Sequence, residues 1–471
     1  MVCCPSRRVP HTLRSFQQFL GTSKPIMTAS LYSAKRAFTS LGFRPHFGTL
    51  AQPVILPSDM LIEEELVSGY DPRHFYPVNP GDIFHNRYEM TAKLGCGSCS
   101  TVWLARDTQR QRWRSDRYVA VKVNNCDFAD EGAAEHELNI SRRIAQANPS
   151  HKGLSYVRTI VDSFTISGVH GNHICLVYEA MREPLWLFER RCKDGRLTLG
   201  LLKGYLRLLL MGLDYLHSEC HIVHTDIKLD NIMVGFENPS MIEDFARAQT
   251  QNPMPRKVQD GRLIYQSHND FGPLKSSYVL PKLADFGLAQ YGKNELQRHP
   301  IQPDHYRAPE VILGAGWTYS ADVWNLGVLI WNLLEKRDLF QEIHFNQGKY
   351  NGQAHIAEMI ALLGPPPKEL VDREKEGLGW KFRPEVENSE GKLCGSASEF
   401  YGGPFFDSEG EFMHKDLIPD TFNIGVSVLS LKGKEKEEFL NFVLKMLQWL
   451  PDKRKSAKEL LEDPWLCPDS M

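Results

Sequence analysis

Apolar residues between Leu201 and His217 fall at positions 201, 202, 205, 206, 208, 209, 213 and 216. This is a helical period with a wide apolar face, and it predicts a well-buried helix. The run Ile222-Val223 after it predicts a short strand. Tyr88–Leu94, Val119–Val123, His173–Glu179 and Tyr278–Leu280 are short runs rich in β-branched or aromatic residues, and they predict further strands. Helical patterns recur from Ala133 to Ile144, from Ala321 onward and from Ile356 to Gly364, with an amphipathic helix expected up to Pro464-Trp465. Glu183-Pro184 follows the third strand run and suits a hinge between a small β-rich part and a larger helical part.

Composition narrows the class. The chain has 471 residues, 42% hydrophobic and 24% charged, with a net charge of −3, as in ordinary soluble globular proteins. That balance gives no reason to expect nucleic acid as a partner. The longest apolar candidate for a membrane span, Leu197 to Leu216, is interrupted by Lys203, Arg207 and Asp214. Ten cysteines are scattered without a framework, which suits a reducing compartment. Cys96 and Cys99 have C-x-x-C spacing, but no second pair stands nearby, so no metal is expected there. Residues 1–58 contain no Asp or Glu, but several Arg, Lys, Ser and Thr. Such a stretch has the composition of a mitochondrial transit peptide, and also of a disordered basic tail. Residues 59–84 form a Pro- and Tyr-rich lead-in, and residues 236–275 read as a polar inserted loop, partly disordered, with one short helical piece near Ile242.

The chemistry centres on His224-Thr225-Asp226-Ile227-Lys228-Leu229-Asp230-Asn231. Asp226 can orient a hydroxyl, Lys228 can hold a phosphate and Asn231 can ligate a metal. Phosphoryl transfer needs such positioning and charge neutralisation. Gly95-Cys96-Gly97-Ser98-Cys99-Ser100-Thr101-Val102 lies between two strand-like stretches, and its small residues let main-chain amides approach phosphates. Lys122 stands in an apolar strand and needs a partner. Glu135 and Glu137 are the candidates, and Glu137 is favoured because Ile140 and Ile144 continue the apolar face at its side. Asp285, followed by Phe286 and Gly287, can hold a cation while the aromatic packs below. Arg454 is a natural partner for Glu310.

In this order, Gly95/Gly97, Lys122, Glu137, His224–Asn231, Asp285-Phe286-Gly287, Ala308-Pro309-Glu310, Asp322 and Arg454 resemble the signature set of the eukaryotic protein kinases, over about residues 85–467. Ser100-Thr101-Val102-Trp103-Leu104, His224-Thr225-Asp226-Ile227-Lys228 and His173-Ile174-Cys175 are similar to the SR-protein (serine/arginine-rich splicing factor) kinases. The resemblance implies an α+β, bilobal fold, with a β-rich N-lobe at 85–181 and a mainly helical C-lobe at 182–467 carrying inserts at 236–275 and 365–432. It implies ATP and Mg²⁺ as cofactors and Ser/Thr of protein substrates, Arg/Ser-rich splicing factors among them, as acceptors. It also implies a monomer in cytoplasm and nucleus, with no direct nucleic-acid partner.

The resemblance assigns roles residue by residue. Lys122, oriented by Glu137, holds the ATP phosphates; the main chain of Gly95, Cys96, Gly97, Ser98, Cys99 and Ser100 covers them. Val102 and Ala120 belong to the nucleotide-binding set. Main-chain groups of Glu179 and Met181 bind adenine, with Tyr178 at the back of the pocket. Asp226 and Lys228 serve catalysis, and Asn231 and Asp285 hold the metal.

The chain also departs from the family. Thr225 replaces the Arg that usually clamps an activation-loop phosphate, and no Ser or Thr lies between Phe286 and His305, only Tyr291. Activity without activation-loop phosphorylation is the expectation. Pro303 takes the place of a Thr that supports the catalytic Asp, which predicts impaired turnover. The stretch 337–355 keeps Asp338 and Glu342 but then carries Gln347, Lys349, Asn351 and Gln353, a weakly charged version of the acidic docking groove of SR-protein kinases. A pseudokinase scaffold and a small-molecule phosphotransferase are the rival readings. The complete set Lys122, Asp226, Asn231 and Asp285 argues against the first, and Ala308-Pro309-Glu310 with its bracing against the second.

Overall fold

A computed structural model describes residues 51–467, apart from Ser68, 110–115, 127–131, 293–295 and 346–347. The acid-free N-terminal stretch, with its transit-peptide reading, lies almost entirely outside the described residues.

Six strands form the first sheet: β1 (Ile83–Phe84), β2 (Tyr88–Gly97), β3 (Ser100–Asp107), β4 (Arg117–Cys126), β5 (Ile160–Gly168) and β6 (Gly171–Glu179). Their spatial order is β1-β2-β3-β4-β6-β5, all antiparallel. Helix α1 (Ala133–Gln146) packs on this sheet, burying Glu137, Leu138, Ile140, Ser141 and Ile144. Helix α2 (Leu199–Asp214) starts where the Thr198 hydroxyl accepts the Leu201 N–H. It buries Leu202, Leu206, Leu209, Leu210 and Leu213 in the main core beside α4 (Ser320–Glu335), nearly all of which is buried. The predicted periods are thus realised, and the β-rich part precedes the helical part.

Three local expectations differ. The strand predicted at Tyr278–Leu280 forms slightly later, at Pro281–Leu283, because there it can pair with Ile232–Val234. The last amphipathic helix shrinks to Ala457–Leu460. Residues 236–275 carry the expected helical piece near Ile242 as helix α3 (Ser240–Ala248), but the rest is not an irregular loop: it holds a hairpin, Arg256–Gln259 paired with Arg262–Tyr265. Met241, Phe245, Met254, Tyr265 and Phe271 join the core of the small sheet with Tyr88, Met90 and Trp103. A few apolar residues spaced through a polar composition carry that packing, and a count of polar residues conceals them.

The lead-in residues complete this cover. Ile55 bridges to Arg256, and Glu64 and Glu65 are buried. Glu64 pairs with the buried Lys93 of β2, and Glu65 receives Lys257 Nζ at 2.8 Å. Buried lysines need such partners. The lead-in and the insert therefore lie together over the small sheet.

Candidate active site

The cleft is assembled from both parts of the fold. Lys122 lies on β4, opposite Val102 of β3 and Leu176 of β6. Its Nζ donates to both carboxylate oxygens of Glu137, at 2.8 and 2.9 Å, and to Asp285 Oδ1 at 3.1 Å. Glu137 is therefore the partner, and the alternative Glu135 is not. Burial works against the charge on Lys122, but Asp285 and Glu137 outweigh it and hold the ammonium protonated. The same lysine is the main cause that depresses Asp285 to about 2, so this carboxylate is ionised.

The catalytic-type loop is built on main-chain hydrogen bonds. Asp322, buried at the start of α4, accepts the His224 N–H at 2.7 Å and the Thr225 N–H at 2.9 Å. Thr225 has φ 67°, a left-handed conformation that a β-branched residue adopts only when held. Asp322 holds it on one side; on the other the Thr225 hydroxyl donates to the Leu288 carbonyl at 2.8 Å. The His224 ring packs 5.1 Å from the Phe286 ring, with its Nε2 3.1 Å from the Ala284 carbonyl oxygen, which couples this loop to the strand end that carries Asp285.

Asp226 is the focus of that loop. Lys228 Nζ donates to its Oδ2 at 2.8 Å and Oδ1 at 3.1 Å, and Asn231 Nδ2 donates to Oδ2 at 2.8 Å. Burial raises the Asp226 pKa, against the pull of Lys228. Asn231 spends its amide N–H on Asp226, which leaves Oδ1 for a cation. Asn231 Oδ1 and the ionised Asp285 carboxylate are the hard oxygen donors that Mg²⁺ takes. The residues present thus fit the ion.

The remaining predicted positions lie on the strands beside Lys122 and on the segment that follows β6. β2 and β3 pair through Gly95–Val102, Cys96–Thr101 and Gly97–Ser100, so Ser98 and Cys99 form the tip. Ala120 sits opposite Tyr178, which is buried with its hydroxyl 3.2 Å from Ser141 Oγ. Glu179 ends β6, and the buried Met181 follows. Sequence reasoning overlooked Arg158, whose guanidinium donates to the Glu179 carbonyl at 2.9 Å. An arginine just before an apolar strand was its only signal.

A protein kinase domain family model matches residues 88–466. The chain belongs to the protein kinase family. It is 36% identical over 415 residues to a serine/threonine protein kinase of Aspergillus fumigatus, covering 88% of this chain and 92% of that one. It is 28% identical to the serine/threonine-protein kinase SRPK of Physarum polycephalum, over 86% of this chain and 92% of that one. It is 24% identical to SRSF protein kinase 3 of Mus musculus, over 86% and 91% of the two chains. The crystal structure of the PF14_0431 kinase domain superposes with a TM-score of 0.58 at 23% identity, covering 84% of this chain and all of that one, and shares the fold. The chain is thus a serine/threonine protein kinase of the SR-protein kinase-like group. No helix among the described residues of this kinase is long and apolar enough to cross a membrane.

Proposed function

We propose that this kinase transfers the γ-phosphate of Mg²⁺-ATP to serine or threonine of basic protein substrates, Arg/Ser-rich splicing factors among them, as a monomer in cytoplasm and nucleus. The observation that carries the reading is the convergence of Lys122–Glu137–Asp285 with Asp226–Lys228–Asn231 in one cleft. Lys122 binds the α- and β-phosphates. Main-chain amides from Gly95 to Ser100 cover them, and Glu179 and Met181 meet the base between Val102, Ala120 and Tyr178. Mg²⁺, held by Asn231 and Asp285, supplies neutralisation of phosphate charge. Asp226 orients the acceptor hydroxyl and takes its proton, and Lys228 neutralises the transferred group.

Substrate charge is inferred from the groove beside Asp226. A cavity of about 720 Å³ is lined by Asp226, Asp304, Glu387, Glu390 and Glu399 against Arg307, Lys349 and Lys392. Arg307 is itself committed, donating to the Gln302 carbonyl at 2.9 Å and lying 4.5 Å from the Tyr350 ring. The acids outnumber the bases, but Asp304 pairs with Arg307, Glu390 with Lys349 and Glu399 with Lys381, so the excess that would favour basic peptides is small.

Activation without phosphorylation is supported by the Thr225–Leu288 hydrogen bond, which fixes the start of the activation segment by a neutral contact. His136 Nε2, 2.8 Å from the Ala289 oxygen, adds a tie to α1. The deciding assay is Mg²⁺-ATP phosphotransfer by bacterially expressed, unphosphorylated protein to an Arg-Ser-repeat peptide and a scrambled basic peptide, with Asp226→Ala as control. Transfer favouring the repeat, lost in the control, is expected. Equal transfer to both removes the splicing-factor assignment. Absence of transfer until an upstream kinase has acted removes activation independence.

A further inference from the structure

Arg158 stands between the two walls of the cleft. Its main-chain N–H donates to the Leu283 carbonyl at 2.8 Å, two residues before Asp285. Its side chain crosses to the opposite wall. There the guanidinium lies 4.8 Å from the centroid of the Tyr178 ring and donates to the Glu179 main-chain carbonyl through two nitrogens, at 2.9 and 3.3 Å. No acid accounts for this placement. The Glu179 carboxylate receives Lys282 Nζ at 2.6 Å, and Glu137 and Asp285 share Lys122. Among the described residues Arg158 forms no ion pair. It remains a cation although burial works against its charge, because a guanidinium does not lose its proton in proteins.

The consequence concerns the purine base. The Glu179 carbonyl is the hinge acceptor assigned to the base, and adenine meets such an acceptor with its 6-amino donor. A guanidinium already on that oxygen adds N–H donors to the same edge, since it carries five and uses two here. An amino group meets like donors there. A 6-oxo group would instead accept from the guanidinium N–H groups that are not spent on the Glu179 carbonyl, whose two lone pairs Arg158 already engages. We propose that Arg158 is a specificity-determining residue of the nucleotide pocket and makes it accept 6-oxopurine nucleotides such as GTP alongside ATP. The inference rests on the reading of this cleft as the ATP site.

Calorimetric titration of the full-length protein with Mg²⁺-ADP and Mg²⁺-GDP tests it. The wild-type protein is expected to bind the two within about tenfold of each other, the worth of one hydrogen bond to a charged group. Arg158→Val should strengthen ADP and weaken GDP, moving their ratio by about tenfold or more, whereas Arg158→Lys, which keeps a donor, should stay near the wild-type ratio. An unchanged ratio in Arg158→Val, with both nucleotides still bound, overturns the role of Arg158 and leaves the ATP site standing. A wild-type preference for ADP beyond about a hundredfold overturns it as well, without need of a variant that folds. Binding of neither nucleotide to the wild-type protein overturns the ATP-site reading itself and the inference with it.

Discussion

Glu310 and Arg454 meet as a bidentate ion pair, Nη1 to Oε1 and Nη2 to Oε2, each at 2.6 Å, with neither side chain exposed. The guanidinium also donates to the Ser320 carbonyl at 3.1 Å and lies 5.0 Å from the Trp324 ring centroid. One contact thus ties the segment after the activation loop, the start of α4 and the C-terminal turns. Removing one partner leaves the other charge buried and unpaired. Arg454→Met is expected to cost about 3–5 kcal/mol in urea unfolding, and the double variant Glu310→Leu/Arg454→Met should recover most of it. A single variant as stable as wild type would show that the pair does not brace the fold.

The cover of lead-in and insert makes a second prediction. Phe245 of α3 is buried, 4.4 Å from the Phe271 ring. Phe245→Ala should destabilise by about 3–5 kcal/mol if the cover unfolds with the rest of the molecule. Hydrogen exchange should then quicken in β2 and β3, on which the insert lies. Exchange confined to residues 240–271 would mean that the insert opens independently.

Glu374 gives a pH-dependent term in stability. Burial lifts its pKa to about 7, and the Phe405 N–H, donating at 2.8 Å, only partly opposes this. A folded-state pKa above the unfolded value means that the folded protein holds a proton the unfolded chain has lost. The contribution is therefore full below the ordinary glutamate pKa and is lost as pH rises to about 7. Glu374→Gln keeps an acceptor for Phe405 and removes the charge. It should stabilise the protein at pH ~8 by about 1–2 kcal/mol and have little effect at pH ~4, as read from thermal melts at both values. Equal effects at both would exclude the titration.

Much of the site was legible because its chemistry restricts residue type. A lysine in an apolar strand required an acid, and Glu137 rather than Glu135 supplies it because Ile140 and Ile144 fix which face of α1 turns inward. The periods of α2 and α4 announced the main core. What stayed hidden depends on pairings between distant segments, which no local pattern records. Glu64 with Lys93 and Glu65 with Lys257 look like ordinary surface charges in sequence. Arg158 is legible only once Tyr178 and Glu179 stand beside it. The hairpin and the docking of the insert stayed hidden because six buried apolar residues in a polar stretch suffice to dock it.

Thr225 carries the prediction about activation. Its hydroxyl donates to the Leu288 carbonyl where a charged clamp would otherwise act. Thr225→Val preserves the β-branched shape but removes one of two donors to that carbonyl, leaving Gln290 Nε2 at 3.2 Å, at about 0.5–1.5 kcal/mol. Phosphotransfer should fall about two- to tenfold, and proteolysis should quicken near Leu288. Phosphatase treatment of the wild-type protein should leave activity unchanged. Loss of activity on that treatment would place the control in a phosphate instead.

The acid limb of activity tests the pairing of Asp226 with Lys228. Burial holds the Asp226 pKa above its ordinary value, and Lys228, 2.8 Å away, is the main opposing influence. Only the ionised carboxylate can take the hydroxyl proton, so kcat/KM should rise with pH through this raised pKa. A nearby cation favours the ionised form. Its removal in Lys228→Met must therefore push the pKa further up and move the acid limb to higher pH. The rate will also fall, because Lys228 neutralises the transferred phosphate, but a loss of neutralisation lowers the whole profile without displacing it. The position of the limb, not its height, is thus the diagnostic quantity. A limb that stays in place while the plateau drops would show that Lys228 acts on the phosphate alone and that another group sets the protonation of Asp226.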